Sequence, residues 1–115
     1  MKKDDALAAL AALSQENRLE AFRLLVQAGP DGIAAGQVSE QLGLAPNALT
    51  FHLDRLKGAG LVTVRREGRS MIYAARYETM NDLVAFLTEN CCQGAACTPK
   101  AVCKPAGAKR AKVTA

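Results

Sequence analysis

At 115 residues the chain has the length of one domain, long enough to bury a core without disulfides or a structural metal. Half of it is apolar but only 4% is aromatic, and no apolar run approaches the 18 or so residues of a membrane-spanning helix. The net charge of +4 is unevenly spread: residues 46–77 carry six bases against two acids, residues 1–45 and 78–90 are net acidic, and residues 91–115 hold five bases and no acid. A basic middle between acidic flanks is the electrostatic footprint of a protein that meets a polyanion. One histidine, no Gly-rich phosphate loop and no paired acids beside a nucleophile leave little catalytic machinery, so an enzyme is the least favoured class.

The opening MKKDDALAALAALSQENR sets two lysines before an apolar stretch, as a signal peptide does, but Asp4 and Asp5 follow at once. The segment reads as mature protein, and the expected location is cytoplasmic. Residues 6–13, ALAALAAL, are apolar on every side. A helix of that kind needs cover all round, and in a domain this small the expected cover is a second subunit. Ser14 is the expected N-cap of a second helix, with Asn17, Arg18 and Glu20 on its wet side and Leu19, Phe22, Leu25 and Val26 as its buried stripe. Gly29-Pro30-Asp31-Gly32 stops it.

A short helix, roughly Ala35 to Leu42, uses Val38 and Leu42 and ends at Gly43. The next helix begins at Ala45 with Pro46 in its first position, where a missing N–H costs little. Leu49, Leu53 and Leu56 mark its buried side; Asn47, Phe51 and Asp54 fall opposite, flanked by Thr50 and Arg55. LVTVRREGRSMIYAARY reads as two strands, about 62–66 and 71–75, around a turn containing Gly68. A last helix is expected from Glu78 to about Asn90, with Met80, Leu83, Val84 and Leu87 on one stripe and Phe86 widening it. This order predicts a mainly α fold with a β-hairpin wing, a winged helix-turn-helix that works as a homodimer. Residues 1–90 form the expected DNA-binding and dimerisation domain, and residues 91–115 a cysteine-containing, basic tail expected to be flexible.

The stretch QVSEQLGLAPNALTFHLDRLKGAGLVTVRREGRSMIYAARY, with LAALSQENRLEAFRLL upstream, resembles the ArsR/SmtB family of metal-responsive bacterial repressors. The likeness runs through Leu42-Gly43-Leu44, His52-Leu53, Leu56, Ala59-Gly60-Leu61-Val62, Arg66-Glu67-Gly68-Arg69 and Tyr73, and covers about residues 5–90. It implies that Asn47, Thr50, Phe51 and His52 face the groove or the phosphates of double-stranded operator DNA, and Arg55, which flanks the same side, is counted with them as DNA-binding. Arg65, Arg66 and Arg69 at the wing are then phosphate contacts, which position a protein without reading sequence. Phe51 departs from the family, which has a polar or basic residue there; it either touches a thymine methyl or is a surface aromatic.

The Cys-x-Cys of many arsenic and cadmium sensors falls here on Ala34 and Gly36, and the zinc sites of the family need histidines this chain lacks. What remains is ENCCQGAACTPKAVCK, which holds all four cysteines. Three thiolates suit a soft ion, and trivalent arsenic completes a pyramidal shell with three sulfurs. Cys91, Cys92 and Cys97 are therefore the expected ligands of arsenite or antimonite as inducer, with Cys103 a fourth ligand, a substitute or a bystander. Adjacent cysteines on a rigid helix point about 100° apart, which favours a site where the helix ends. Arsenic-responsive ArsR-like repressors with vicinal C-terminal cysteines form the subgroup this pattern resembles. No organic cofactor and no membrane partner are expected. The rival readings are a thiol-redox, cadmium or lead sensor of the same fold, and a metal-sequestering protein that does not bind DNA.

Overall fold

The computed structural model describes residues 1–94, so Cys97 and Cys103 lie outside the described residues. Helix α1, Lys3–Leu13, carries Asp4 and Asp5 in its first turn, where acids offset the positive end of the helix dipole. Its small residues Ala6, Ala9 and Ala12 are buried, which lets it lie close against its neighbours. Helix α2 spans Glu16–Ala28 and is capped by Gln15, whose Oε1 accepts the Arg18 backbone N–H at 2.9 Å. Ser14, the expected cap, instead closes α1 by donating its backbone N–H to the Ala11 carbonyl. Ala21, Phe22 and Leu25 face the core as the apolar spacing requires. Leu19 was expected with them but is exposed, because it sits in the first turn of α2 where no described element covers it.

A two-residue strand that the sequence pattern did not suggest, β1 (Ile33–Ala34), precedes α3 (Ala35–Leu42). It pairs antiparallel with β3, Ile33 opposite Tyr73 and Ala34 opposite Ile72. Gly32 makes this pairing feasible: its φ is +77°, and a Cβ there would stand 2.5 Å from the Tyr73 carbonyl oxygen. The wing strands are β2 (Val62–Glu67) and β3 (Ser70–Ala75), so the wing is part of a three-stranded sheet in the order β1-β3-β2.

Helix α4, Pro46–Gly58, follows α3 after a tight turn. Gly43 ends α3 in the left-handed conformation (φ 68°), the Leu44 N–H returns to the Ser39 carbonyl at 3.1 Å, and the Ser39 hydroxyl donates to the Leu44 carbonyl. Leu49, Leu53 and Leu56 lie on the buried side of α4 as expected. With Leu25, Val38 and Leu61 they form the tightest part of the core, each no more than 1% exposed. Burying such a side chain contributes roughly 1.5–3 kcal/mol, and this is what holds α4 against α2, α3 and the sheet.

Helix α5 spans Tyr77–Leu87, beginning one residue earlier and ending three earlier than its apolar pattern suggested. Tyr77 anchors its start by donating its hydroxyl to the Val26 carbonyl at 2.8 Å. Leu83 is buried in the core cluster that also holds Ala6, Ala9 and Ala12 of α1, whereas Val84 and Leu87 of the expected stripe are more than half exposed. A short 3-10 turn, Cys91–Gly94, follows. No helix of the described residues is long and apolar enough to cross a membrane.

Candidate nucleic-acid interface

Packing its leucines inward leaves α4 with a polar outer side. Asn47 and Thr50 are exposed; Asn47 Oδ1 accepts the Ala48 N–H at 3.0 Å, and the Thr50 hydroxyl donates to the Pro46 carbonyl at 2.9 Å. The Asn47 amide donors and the Thr50 lone pairs are the groups left to face outward. Phe51 is 53% exposed, an unusual position for a phenyl ring on a helix with an apolar core beside it. The Arg55 guanidinium lies over this ring, 5.1 Å from its centroid, which holds a cation and an apolar surface side by side. Asp54, expected opposite the buried side together with Asn47 and Phe51, is exposed yet close enough to act on Tyr73. Burial first, and then the Asp54 carboxylate, push the Tyr73 phenol above its ordinary value.

His52 behaves differently from its neighbours. It is half-buried, its ring meets Phe51 edge-on at 5.6 Å between centroids, and its Nδ1 is 3.4 Å from Arg18 Nη1 of α2. Arg18, assigned from sequence to the wet side of α2, is half-buried too, and its Nε donates to the Ala12 carbonyl at 2.7 Å.

The three wing arginines are exposed but not equivalent. Arg65 is engaged twice within the chain: Nε with Glu67 Oε2 at 2.7 Å and Nη2 with the Asp31 carbonyl at 2.9 Å. Arg66 donates from Nε to the Gly68 carbonyl at 3.2 Å, which braces the hairpin turn and leaves its Nη groups outward. Arg69 lines a groove between the hairpin and the start of α3, together with Ser70, Met71, Ala34 and Gly36. The Ala34 and Gly36 positions thus lie at the foot of the wing and bring no thiol to it.

At the other end of the chain, α5 stops at Leu87 and the backbone turns sharply. Asn90, Cys92 and Gln93 have φ of 57°, 56° and 59°, a left-handed run that ordinary side chains rarely adopt. Cys91 and Cys92 therefore sit on a turn immediately after the helix, not on the helix itself, with Cys91 half-buried and Cys92 exposed. Among the described residues no group of three or more His, Cys, Asp or Glu side chains is close enough to hold a metal ion.

A helix-turn-helix domain family matches residues 13–65. The chain is 30% identical over 89 residues to the HTH-type transcriptional regulator YgaV of Escherichia coli, a match covering 77% of this chain and 88% of YgaV. It is 30% identical over 95 residues to the transcriptional activator HlyU of Vibrio cholerae, covering 81% of this chain and 85% of HlyU. An ArsR-like transcriptional regulator from a Rhodococcus species has the same fold, with a TM-score of 0.68 at 26% identity over 79% of this chain and 83% of that one. The chain belongs to the ArsR-type winged helix-turn-helix transcriptional regulators.

In this ArsR-type regulator the helix-turn-helix pair is α3–α4, with α4 its second helix. Asn47, Thr50, Phe51 and Arg55 come together on the outer side of α4, and His52 is set back against α2. Two features escaped the sequence. The Arg18–His52 contact and the Arg65–Asp31 bond each join residues 34 positions apart, and no local pattern encodes such a separation. The only hint was an arginine on α2 with no acid at helical spacing that it bonds.

Proposed function

We propose that this protein is a homodimeric repressor that binds double-stranded operator DNA and leaves it when its C-terminal cysteines take up arsenite or antimonite. The observation that carries the reading is the vicinal pair Cys91–Cys92 on a turn directly after α5, the helix that packs on α1. Two adjacent thiols are a soft, chelating donor set suited to trivalent arsenic, and Cys97 is the third ligand the sequence offers. Uptake of the ion by three sulfurs would tie residues beyond Cys92 back to the end of α5. A helix end at the dimer edge is a place from which a small rearrangement can alter the separation of two reading heads.

Support for the dimer comes from four large apolar side chains left uncovered on the two packed helices. Leu7 and Leu10 of α1 are 57% and 39% exposed, and Val84 and Leu87 of α5 are 54% and 59% exposed. Exposed apolar groups concentrated on two adjacent helices call for a partner, and a second copy of the chain supplies the same surface in return. Two α4 helices related by a twofold axis would enter successive major grooves about 34 Å apart. Asn47, Thr50, Phe51, His52 and Arg55 then serve base edges and nearby phosphates, and Arg66 and Arg69 serve the flanking backbone, with Arg65 mainly bracing the wing.

The test is operator binding by fluorescence anisotropy with arsenite titrated under reducing conditions. Affinity should fall about 5–150-fold, the range of an allosteric coupling of about 1–3 kcal/mol. Serine at Cys91, Cys92 or Cys97 should abolish the response, and serine at Cys103 should spare it. A chain that stays on its operator at saturating arsenite overturns the reading. A thiol-redox sensor is a second reading, favoured by the exposure of Cys92; release by peroxide but not by arsenite would select it.

A further inference from the structure

Arg18 joins three elements. Its backbone N–H is held by Gln15 Oε1, its Nε donates to the Ala12 carbonyl in the last turn of α1, and its Nη1 reaches His52 Nδ1 on α4. Neither of the two ion pairs among the described residues involves it; the groups its guanidinium meets are the Ala12 carbonyl and the His52 ring. Both side chains of the Arg18–His52 pair are half-buried, which shields the contact from competing water.

We infer that Arg18 is a positioning residue for His52: it fixes the imidazole as the Nε2–H tautomer, so that α4 presents one N–H donor to a DNA phosphate. The inference rests on the reading of α4 as the DNA-contacting helix. Its chemistry is simple. A guanidinium has N–H donors and no acceptor, so the nitrogen facing Arg18 must offer its lone pair. A neutral imidazole with a bare Nδ1 carries its proton on Nε2, at the far side of the ring from Arg18. The Phe51 ring, edge-on to His52, limits how the imidazole can turn. Arg18 is held in place because the Ala12 carbonyl is one of the last of α1, which no helical N–H can satisfy. The donor on α4 is thereby tied through one side chain to the end of α1, and a shift of α1 would be felt at His52.

The chain has one histidine, so a long-range proton–nitrogen NMR spectrum of the full-length, reduced protein shows a single imidazole and needs no assignment. At alkaline pH the wild type should show one pure tautomer with Nδ1 unprotonated. Arg18→Met keeps the stem and removes the donors, and should give the tautomer mixture of an unrestrained ring. A protonated Nδ1 in the wild type, or an unchanged tautomer in Arg18→Met, overturns the inference. Should Arg18→Met fail to fold, the wild-type spectrum and Arg18→Lys still decide it, the lysine giving at most partial restraint because its ammonium cannot span both acceptors. The second readout is affinity for a duplex selected from a random DNA library. Arg18→Met should weaken it up to about fivefold, the loss of one hydrogen bond when neither the tautomer nor the orientation of the ring is held, and should have no further effect in a His52→Ala background. A released tautomer with undiminished affinity overturns the presentation of His52 to DNA. If the wild-type chain selects no duplex, the DNA-binding reading fails, while the spectrum still decides whether Arg18 fixes the ring.

Discussion

The reading head and the α1–α5 edge are built from similar residues and end up with opposite surfaces. In the head, Val38, Leu49, Leu53, Leu56 and Leu61 close almost completely on one another, and what remains outside is amide, hydroxyl, carboxylate and guanidinium, with the Phe51 ring set among them. At the edge the buried residues are mostly small, Ala6, Ala9, Ala12 and Leu83, while the large ones, Leu7, Leu10, Val84 and Leu87, point away. The difference lies in where the bulk sits relative to the chain's own core. A head that finishes its own packing can offer a polar surface of fixed shape. An edge that leaves its bulk outside depends on another surface for cover. The two regions therefore answer to different perturbations, and mutation can separate them.

The largest effect is expected in the head. Leu53→Ala empties a fully buried site and should cost about 2–5 kcal/mol of unfolding free energy in urea melts. If the head is self-contained, that loss is the same across protein concentrations. At the edge, Leu10→Glu combined with Leu87→Glu should leave far-UV circular dichroism unchanged and yield monomers in sedimentation velocity. Each lost leucine contact is worth about 1.5–3 kcal/mol, and a persisting dimer would mean the interface lies elsewhere. Gly32→Ala strains both the left-handed backbone and the β1–β3 pairing at the Tyr73 carbonyl. It should destabilise the head by at least about 1–2 kcal/mol in thermal or urea melts without altering dimer formation. The smallest effects belong to the wing. Arg69→Ala should lower DNA affinity a few-fold and reduce the slope of log K against log salt by about 0.9 for one phosphate contact. Arg65→Ala should change that slope less, because its guanidinium is already shared between Glu67 and the Asp31 carbonyl. Equal slopes for the two would show that Arg65 leaves these partners to meet the phosphate.

Most of the head was legible because its signals are local. The leucines of α4 repeat at helical spacing, Pro46 marks its start, Gly43 marks the turn before it, and the two strands flank a glycine turn. Outward placement of Asn47, Thr50, Phe51 and Arg55 follows from the same periodicity. Strand β1 was not legible, since two residues are too few to show alternation, and it exists only because β3 has an open edge beside Ile33. The early end of α5 escaped for a related reason: the residues after Leu87 continue a plausible pattern, but the backbone turns left-handed at Asn90.

By itself the sequence determined where the five helices and the two wing strands lie, which side of α4 is apolar, and that four thiols cluster after the last helix, because these depend on neighbours within a few residues. Tertiary structure alone decided that His52 is held by Arg18, that Arg65 is spent on the wing, and that the large apolar groups of α1 and α5 are left without cover. Those outcomes depend on where distant segments meet in space. No pattern confined to one element can specify a contact between residues 34 positions apart.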